Sequence, residues 1–152
     1  MHLATQEFIN DLEAHELKYN YKGETESGKD RLVVSFGGEN MSDIVMQFIF
    51  SADNEDVALR IFDIVKVPEP KINKMIKVVN DLNNKYRFAK FCLDTDDNTI
   101  QLEIDTPFRE GSIGLVCREI MLRALNICDD AYPELMKSLW TGFAKKFKPC
   151  RV

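Results

Sequence analysis

The sequence predicts an α+β domain in which helices pack against an antiparallel sheet. Three observations carry this. Four strand-like runs follow one another with only short polar breaks between them, and short connections join antiparallel neighbours. Two later segments carry apolar residues at helical spacing. A two-stranded hairpin stands between those segments. The predicted order is α-β-β-β-β-α-β-β-α.

The elements can be justified in turn. Thr5 is placed to cap a first helix, with Phe8, Ile9 and Leu12 on one face and an end near Leu17. Residues 18–22 form a short strand with Tyr19 and Tyr21 on one side. Leu32, Val34 and Phe36 alternate with Val33 and Ser35 in the next. Residues 44–50 are apolar on both faces apart from Gln47, which predicts a central strand covered on both sides. Residues 57–65 form a fourth strand. The breaks are residues 23–30, 37–40 and 53–56, all rich in turn formers.

Pro70 suits the first turn of a second helix. Ile72, Met75, Ile76, Val79, Leu82 and Tyr86 form its apolar face, with lysines and asparagines opposite. The hairpin sets Ala89, Phe91 and Leu93 against Ile100, Leu102 and Ile104, across a turn at residues 94–98. The last helix starts near Ser112. Its main stripe is Ile113, Val116, Ile120, Ala124, Ile127, Cys128 and Ala131. Met121, Leu122 and Leu125 widen that stripe beyond one face, as expected of a helix that is central or covered by a partner. Pro133 should kink or restart it. Residues 1–144 are expected to form one domain, and residues 145–152 a loose basic tail.

Composition mostly excludes functions. The chain has 152 residues and a net charge of −5, which argues against a protein built to coat nucleic acid. The charge is uneven. Residues 1–60 hold 12 acidic and 5 basic side chains, whereas residues 71–90 hold six basic ones and a single acid, Asp81. No run is long and apolar enough for a membrane span, and the start lacks the regions of a signal peptide. Cys92, Cys117, Cys128 and Cys150 form no C-x-x-C pair, and they read as reduced thiols of a cytoplasmic protein.

Motif matches fail on context. Gly23 to Lys29 fits G-x-x-x-x-G-K, but Asp30 follows where Ser or Thr is needed, and the next segment is a strand. Asp94, Asp96 and Asn98 fit the start of a calcium loop, but Thr99 stands where its glycine belongs and strands flank it. Only His2 and His15 exist, too few for a multi-histidine metal site. No catalytic residue, metal ligand or cofactor site is assigned. Lys71, Lys74, Lys77, Lys85, Arg87 and Lys90, interleaved with Tyr86, Phe88 and Phe91, raise nucleic-acid binding, but a solvated helix face is the preferred reading.

Several segments resemble the YbjN-like family: Val67-Pro68, the helix 72–86, the run Arg87-Phe88-Ala89-Lys90-Phe91-Cys92-Leu93-Asp94, Asp105-Thr106-Pro107, and Tyr132-Pro133-Glu134-Leu135. The resemblance covers roughly residues 60–142. That family is labelled a bacterial sensory transduction regulator and is similar in fold to type III secretion chaperones. The resemblance therefore implies a secretion-chaperone-like fold, with the homodimer such a fold would bring, and a non-enzymatic binding or regulatory role with a protein partner. Ile72, Met75, Ile76, Val79, Met121, Leu122 and Leu125 are the candidate partner interface. The alternative is a small hydrolase using carboxylates or Cys92.

Overall fold

A computed structural model describes residues 1–146, with side chains through Trp140. Ten short stretches of regular backbone build it. They are α1 (Leu3–Ala14), β1 (Asn20–Glu24), β2 (Asp30–Phe36), β3 (Ile44–Phe50), β4 (Asp56–Lys66), a 3₁₀ turn (Glu69–Lys71), α2 (Ile72–Lys85), β5 (Lys90–Asp94), β6 (Thr99–Pro107) and α3 (Ile113–Lys146). The predicted element order holds. Residues 147–152 of the expected basic tail lie outside the described residues.

The strands form one antiparallel sheet of order β1-β2-β3-β4-β6-β5. Alternation explains which face is buried. Leu32 and Val34, then Ile44, Met46, Phe48 and Phe50, then Val57, Leu59 and Ile61, then Ile100, Leu102 and Ile104 all point to the helices. Phe8 of α1 seats on Phe48 with ring centroids 4.6 Å apart. The helices occupy one side only. The opposite face keeps Val45 and Phe62 exposed and carries Arg60, which bridges Glu103 at 3.2 Å and Asp105 at 2.8 Å. The expectation that β3 is covered on both sides is therefore wrong. It is interior in strand order but has one open face.

Other departures have local causes. α1 ends at Ala14, three residues before the expected Leu17. Thr5 lies inside α1 and does not cap it. Its hydroxyl donates to Asp30 Oδ2 at 2.7 Å, a partner 25 residues away. β1 begins two residues later than expected. β4 carries a bulge between Ile61 and Val65, with Asp63 at φ 52°, so its second half leaves β3 and stays with β6.

Pro133 does not interrupt α3, which runs on without a break. A proline lacks the N–H that would bond the carbonyl four residues back, here Asp129 O. Asn40 Nδ2 donates to that oxygen at 3.1 Å instead. The same residue's carboxylate accepts backbone N–H groups from Glu39, Asn40 and Met41 at 3.1, 2.8 and 2.9 Å. Gly38 makes this approach possible, because a Cβ there would lie 2.2 Å from Asp129 Oδ1. The N–H groups of Met41 and Asn40, followed by Glu39, hold the Asp129 carboxyl below its usual range.

Candidate functional site

The candidate interface residues sit on α2 and α3, and the structure divides them. Met75 and Met121 are buried in the core and drop out of any accessible surface. Met75 faces inward beside Ser138 of α3, whose hydroxyl lies 3.8 Å from its sulfur. Met121 turns into the sheet-facing stripe with Cys117, Ala124, Cys128, Ala131 and Leu135. Ile72, Val79 and Leu125 are half-buried. Ile76 and Leu122 point outward, 53% and 45% exposed. The widened stripe of the last helix is thus partly core, through Met121, and partly surface, through Leu122. Phe88, 67% exposed, and Trp140, 61% exposed, add to the outward apolar set.

Why these side chains sit there follows from how α2 is tied down. Its buried anchors are Met75 and Leu82, two turns apart on one face. Asn83 braces it to the sheet edge. Asn83 Nδ2 donates to Phe91 O at 3.0 Å, and Phe91 N–H donates to Asn83 Oδ1 at 2.7 Å. One side-chain amide therefore stands in for a neighbouring strand at Phe91. The Tyr86 hydroxyl donates to Asp130 of α3, with Lys85 Nζ 4.0 Å from the same carboxylate. Burial, with Asp130 beside it, pushes the Tyr86 hydroxyl pKa up. Phe88 then takes φ 70°, a left-handed conformation uncommon for an aromatic residue, and its ring lies under the Arg123 guanidinium at 4.6 Å. The sequence pattern marked Tyr86 as the end of the α2 apolar face and Phe88 only as an aromatic among lysines. Arg123, 35 residues further on, carries no local signal for this contact.

Beside this surface lies an open cleft of about 690 Å³, lined by the Gly37–Asn40 loop, Tyr86 and α3 from Leu125 to Asp130. Its polar groups are largely engaged with one another, Asp129 with the loop and Asp130 with Tyr86.

The chemistry-bearing matches resolve into structure. Gly23 to Lys29 covers the end of β1 and the β1–β2 turn, closed by Thr25 N–H donating to Lys29 O at 2.8 Å. Residues 94–98 form the β5–β6 turn. There the Asp94 and Asp97 carboxylates accept N–H groups of Asp96 and Thr99. Cys92 lies on the open sheet face. Burial and then the neighbouring Glu103 raise its thiol to about 11, opposite to what a nucleophile requires.

One cluster had no sequence signal at all. His2, Glu24 and Asp30 place ligand-type atoms within 4.8 Å of one another. Asp30 is fully buried, and its oxygens already accept from His2 N–H at 2.5 Å, Thr5 at 2.7 Å and Tyr21 at 2.7 Å. His2 Nε2 lies 2.6 Å from Gly28 O, a carbonyl, so that nitrogen donates. The group is a clasp that fastens the start of α1 to the β1–β2 hairpin. Burial works to raise the Asp30 carboxyl, but the three donated bonds outweigh it and hold it below its usual range. The half-buried Tyr21, desolvated and donating to that carboxylate, is raised to about 12.

Comparison with known proteins adds the family. The model of the YbjN family, described as "Putative bacterial sensory transduction regulator", matches residues 10–137. A chain of the solved ExsC–ExsE complex is similar over the full length of both chains, at 16% identity and a TM-score of 0.50. At that identity the likeness concerns the fold, which is secretion-chaperone-like as the resemblance implied. No curated protein matches the chain.

Proposed function

The chain belongs to the YbjN family, and from that membership we propose that it is a non-enzymatic, chaperone-like regulatory module that holds a segment of another protein. The observation that carries this reading is the outward apolar set on α2 and α3. Ile76 on α2, Phe88 in the segment after it, and Leu122 and Trp140 on α3 are four of the nine exposed large hydrophobic residues among those described, and exposed apolar side chains beyond the core are candidates for an interaction surface. Ile72, Val79 and Leu125 extend the proposed interface at its half-buried margin. The high pKa of the Cys92 thiol and the local bonding of the turn carboxylates favour binding over hydrolysis. The cytoplasm is its proposed compartment, consistent with Cys92, Cys117 and Cys128 being free thiols. A homodimer through α2 and the β5–β6 hairpin would compete with that segment for the same surface.

Site-specific photo-crosslinking tests the proposal. A photoreactive residue at position 76 or 122 should give discrete protein adducts in native cells. The same residue at Phe62, exposed on the open face of the sheet away from the helices, should not. Equal labelling at all three positions, or none at any, refutes it.

A further inference from the structure

We infer that the α2 end of the molecule receives an acidic, apolar-studded protein segment about as long as α2 itself. This rests on the protein-binding reading above and adds the chemistry of the partner.

The argument starts from how the fold distributes charge. β1 and β5 are opposite edges of the sheet. α1 and the strands nearest β1 come from the first 60 residues, with 12 acids against 5 bases. α2 and the segment leading into β5 come from residues 71–90, with six bases against one acid. The uneven charge of the sequence thus becomes a separation in space, negative through α1 and β1–β3 and positive along α2 and the segment after it, while the far end of β5 and its turn carry Asp94, Asp96 and Asp97. Lys74, Lys77, Lys85, Arg87 and Lys90 are all exposed at the positive end. Ile76 and Phe88 stand outward among them.

Three occupants are conceivable, and the charges choose between them. A second copy docked by two-fold symmetry on this face would set its lysines against their own counterparts, an arrangement that like charges oppose. A nucleic acid would run past a patch only as long as α2, about 21 Å for 14 residues, toward the acidic remainder of the chain. It would also find one face of the Phe88 ring already under Arg123. A protein segment with glutamates or aspartates flanking an apolar stripe matches both features at once. Its carboxylates meet the lysines, and its apolar side chains cover Ile76 and Phe88.

The test uses the full chain and fluorescein-labelled 18-residue peptides read by anisotropy. One peptide has a leucine stripe with glutamates, the second replaces glutamate by lysine, and the third scrambles the first. The glutamate peptide alone should bind, and raising the salt from 50 to 300 mM should weaken it. Lys77→Glu and Arg87→Glu should each weaken binding about tenfold at low salt. Phe88→Asn, which tolerates the left-handed backbone, should weaken it as well. Lys18→Glu, near the opposite edge, should leave it unchanged. Circular dichroism confirms that each variant is folded. Equal binding of the lysine or scrambled peptide overturns the inference, as do Lys77 and Arg87 variants that bind like the parent. So does displacement of the glutamate peptide by a 12-nucleotide single strand at equal concentration, or a light-scattering mass of two chains that Lys77→Glu changes. Crosslinks to a partner at positions 76 and 122 would survive such a failure, so the broader function and this finer claim can fall separately.

Discussion

Asp30 is the sharpest place to perturb the fold, because a fully buried carboxylate there answers three donors, two from the start of α1 and one from β1. Asp30→Ala leaves His2 N–H, the Thr5 hydroxyl and the Tyr21 hydroxyl without their acceptor. Each unsatisfied buried donor costs about 1–3 kcal/mol, and the part-buried ones recover some of that from water. The expected loss is about 3–4 kcal/mol. Asp30→Asn behaves differently. Its oxygen can keep the His2 and Thr5 bonds, and its NH₂ can donate to Tyr21 Oη, which accepts as well as donates. Only the charge assistance disappears, for about 1–2 kcal/mol. Urea unfolding followed by far-ultraviolet circular dichroism measures both, and near-equal losses for the two variants would refute the clasp as described. The pH dependence has a definite sign. The folded carboxyl titrates below its unfolded value, so its contribution is complete above an unfolded pKa of about 3.9. It drains away as pH falls through the lower folded value. Asp30→Asn should lack that acid-side loss.

Four further outcomes are expected. Pro133→Ala should stabilise the chain by about 1–2 kcal/mol, because the regained N–H competes with Asn40 for Asp129 O and alanine suits a helix interior; a loss of stability in thermal unfolding would contradict this. Gly38→Ala should cost about 1–3 kcal/mol through the clash at Asp129 Oδ1, and a denaturant midpoint matching the parent would contradict it. Asn83→Ala should cost about 1–2 kcal/mol and open the β5 edge at Phe91, so light scattering should register concentration-dependent association, and a strictly unchanged mass would count against the brace. In a Cys150→Ser background, Cys92 should react with iodoacetamide at pH 8 about tenfold more slowly than glutathione, because its thiol pKa of about 11 cuts the thiolate fraction more than the greater nucleophilicity of that thiolate restores; a rate comparable to glutathione would show that the thiol is not suppressed.

Much of the fold was legible because period-2 and period-3.6 patterns are local. The 90–107 hairpin and the Leu32, Val34, Phe36 alternation needed nothing beyond neighbouring residues. What was not legible depended on distant partners. Thr5 reads as a cap until Asp30, 25 residues on, claims its hydroxyl. Pro133 reads as a break until Asn40 supplies a substitute donor. The candidate site shows the same division. Ile76 and Met75 are neighbours in one apolar stripe, and only the seating of α2 on α3 sends Met75 inward and Ile76 outward. Residues 44–50 looked doubly covered because an apolar strand under helices on one side reads like one covered on both.

The joining of Asp129 to the residue 37–41 loop spans about 90 positions of the chain. During synthesis the first three strands leave the ribosome long before their fastening exists. α3 supplies both the acceptor for that loop and part of the lid over the sheet's apolar face, so the nascent sheet must wait, open on its greasy side, until the final helix is made. The chain's last third thereby decides when the first third becomes safe from aggregation, and truncations within α3 should be felt first at the opposite end of the sequence.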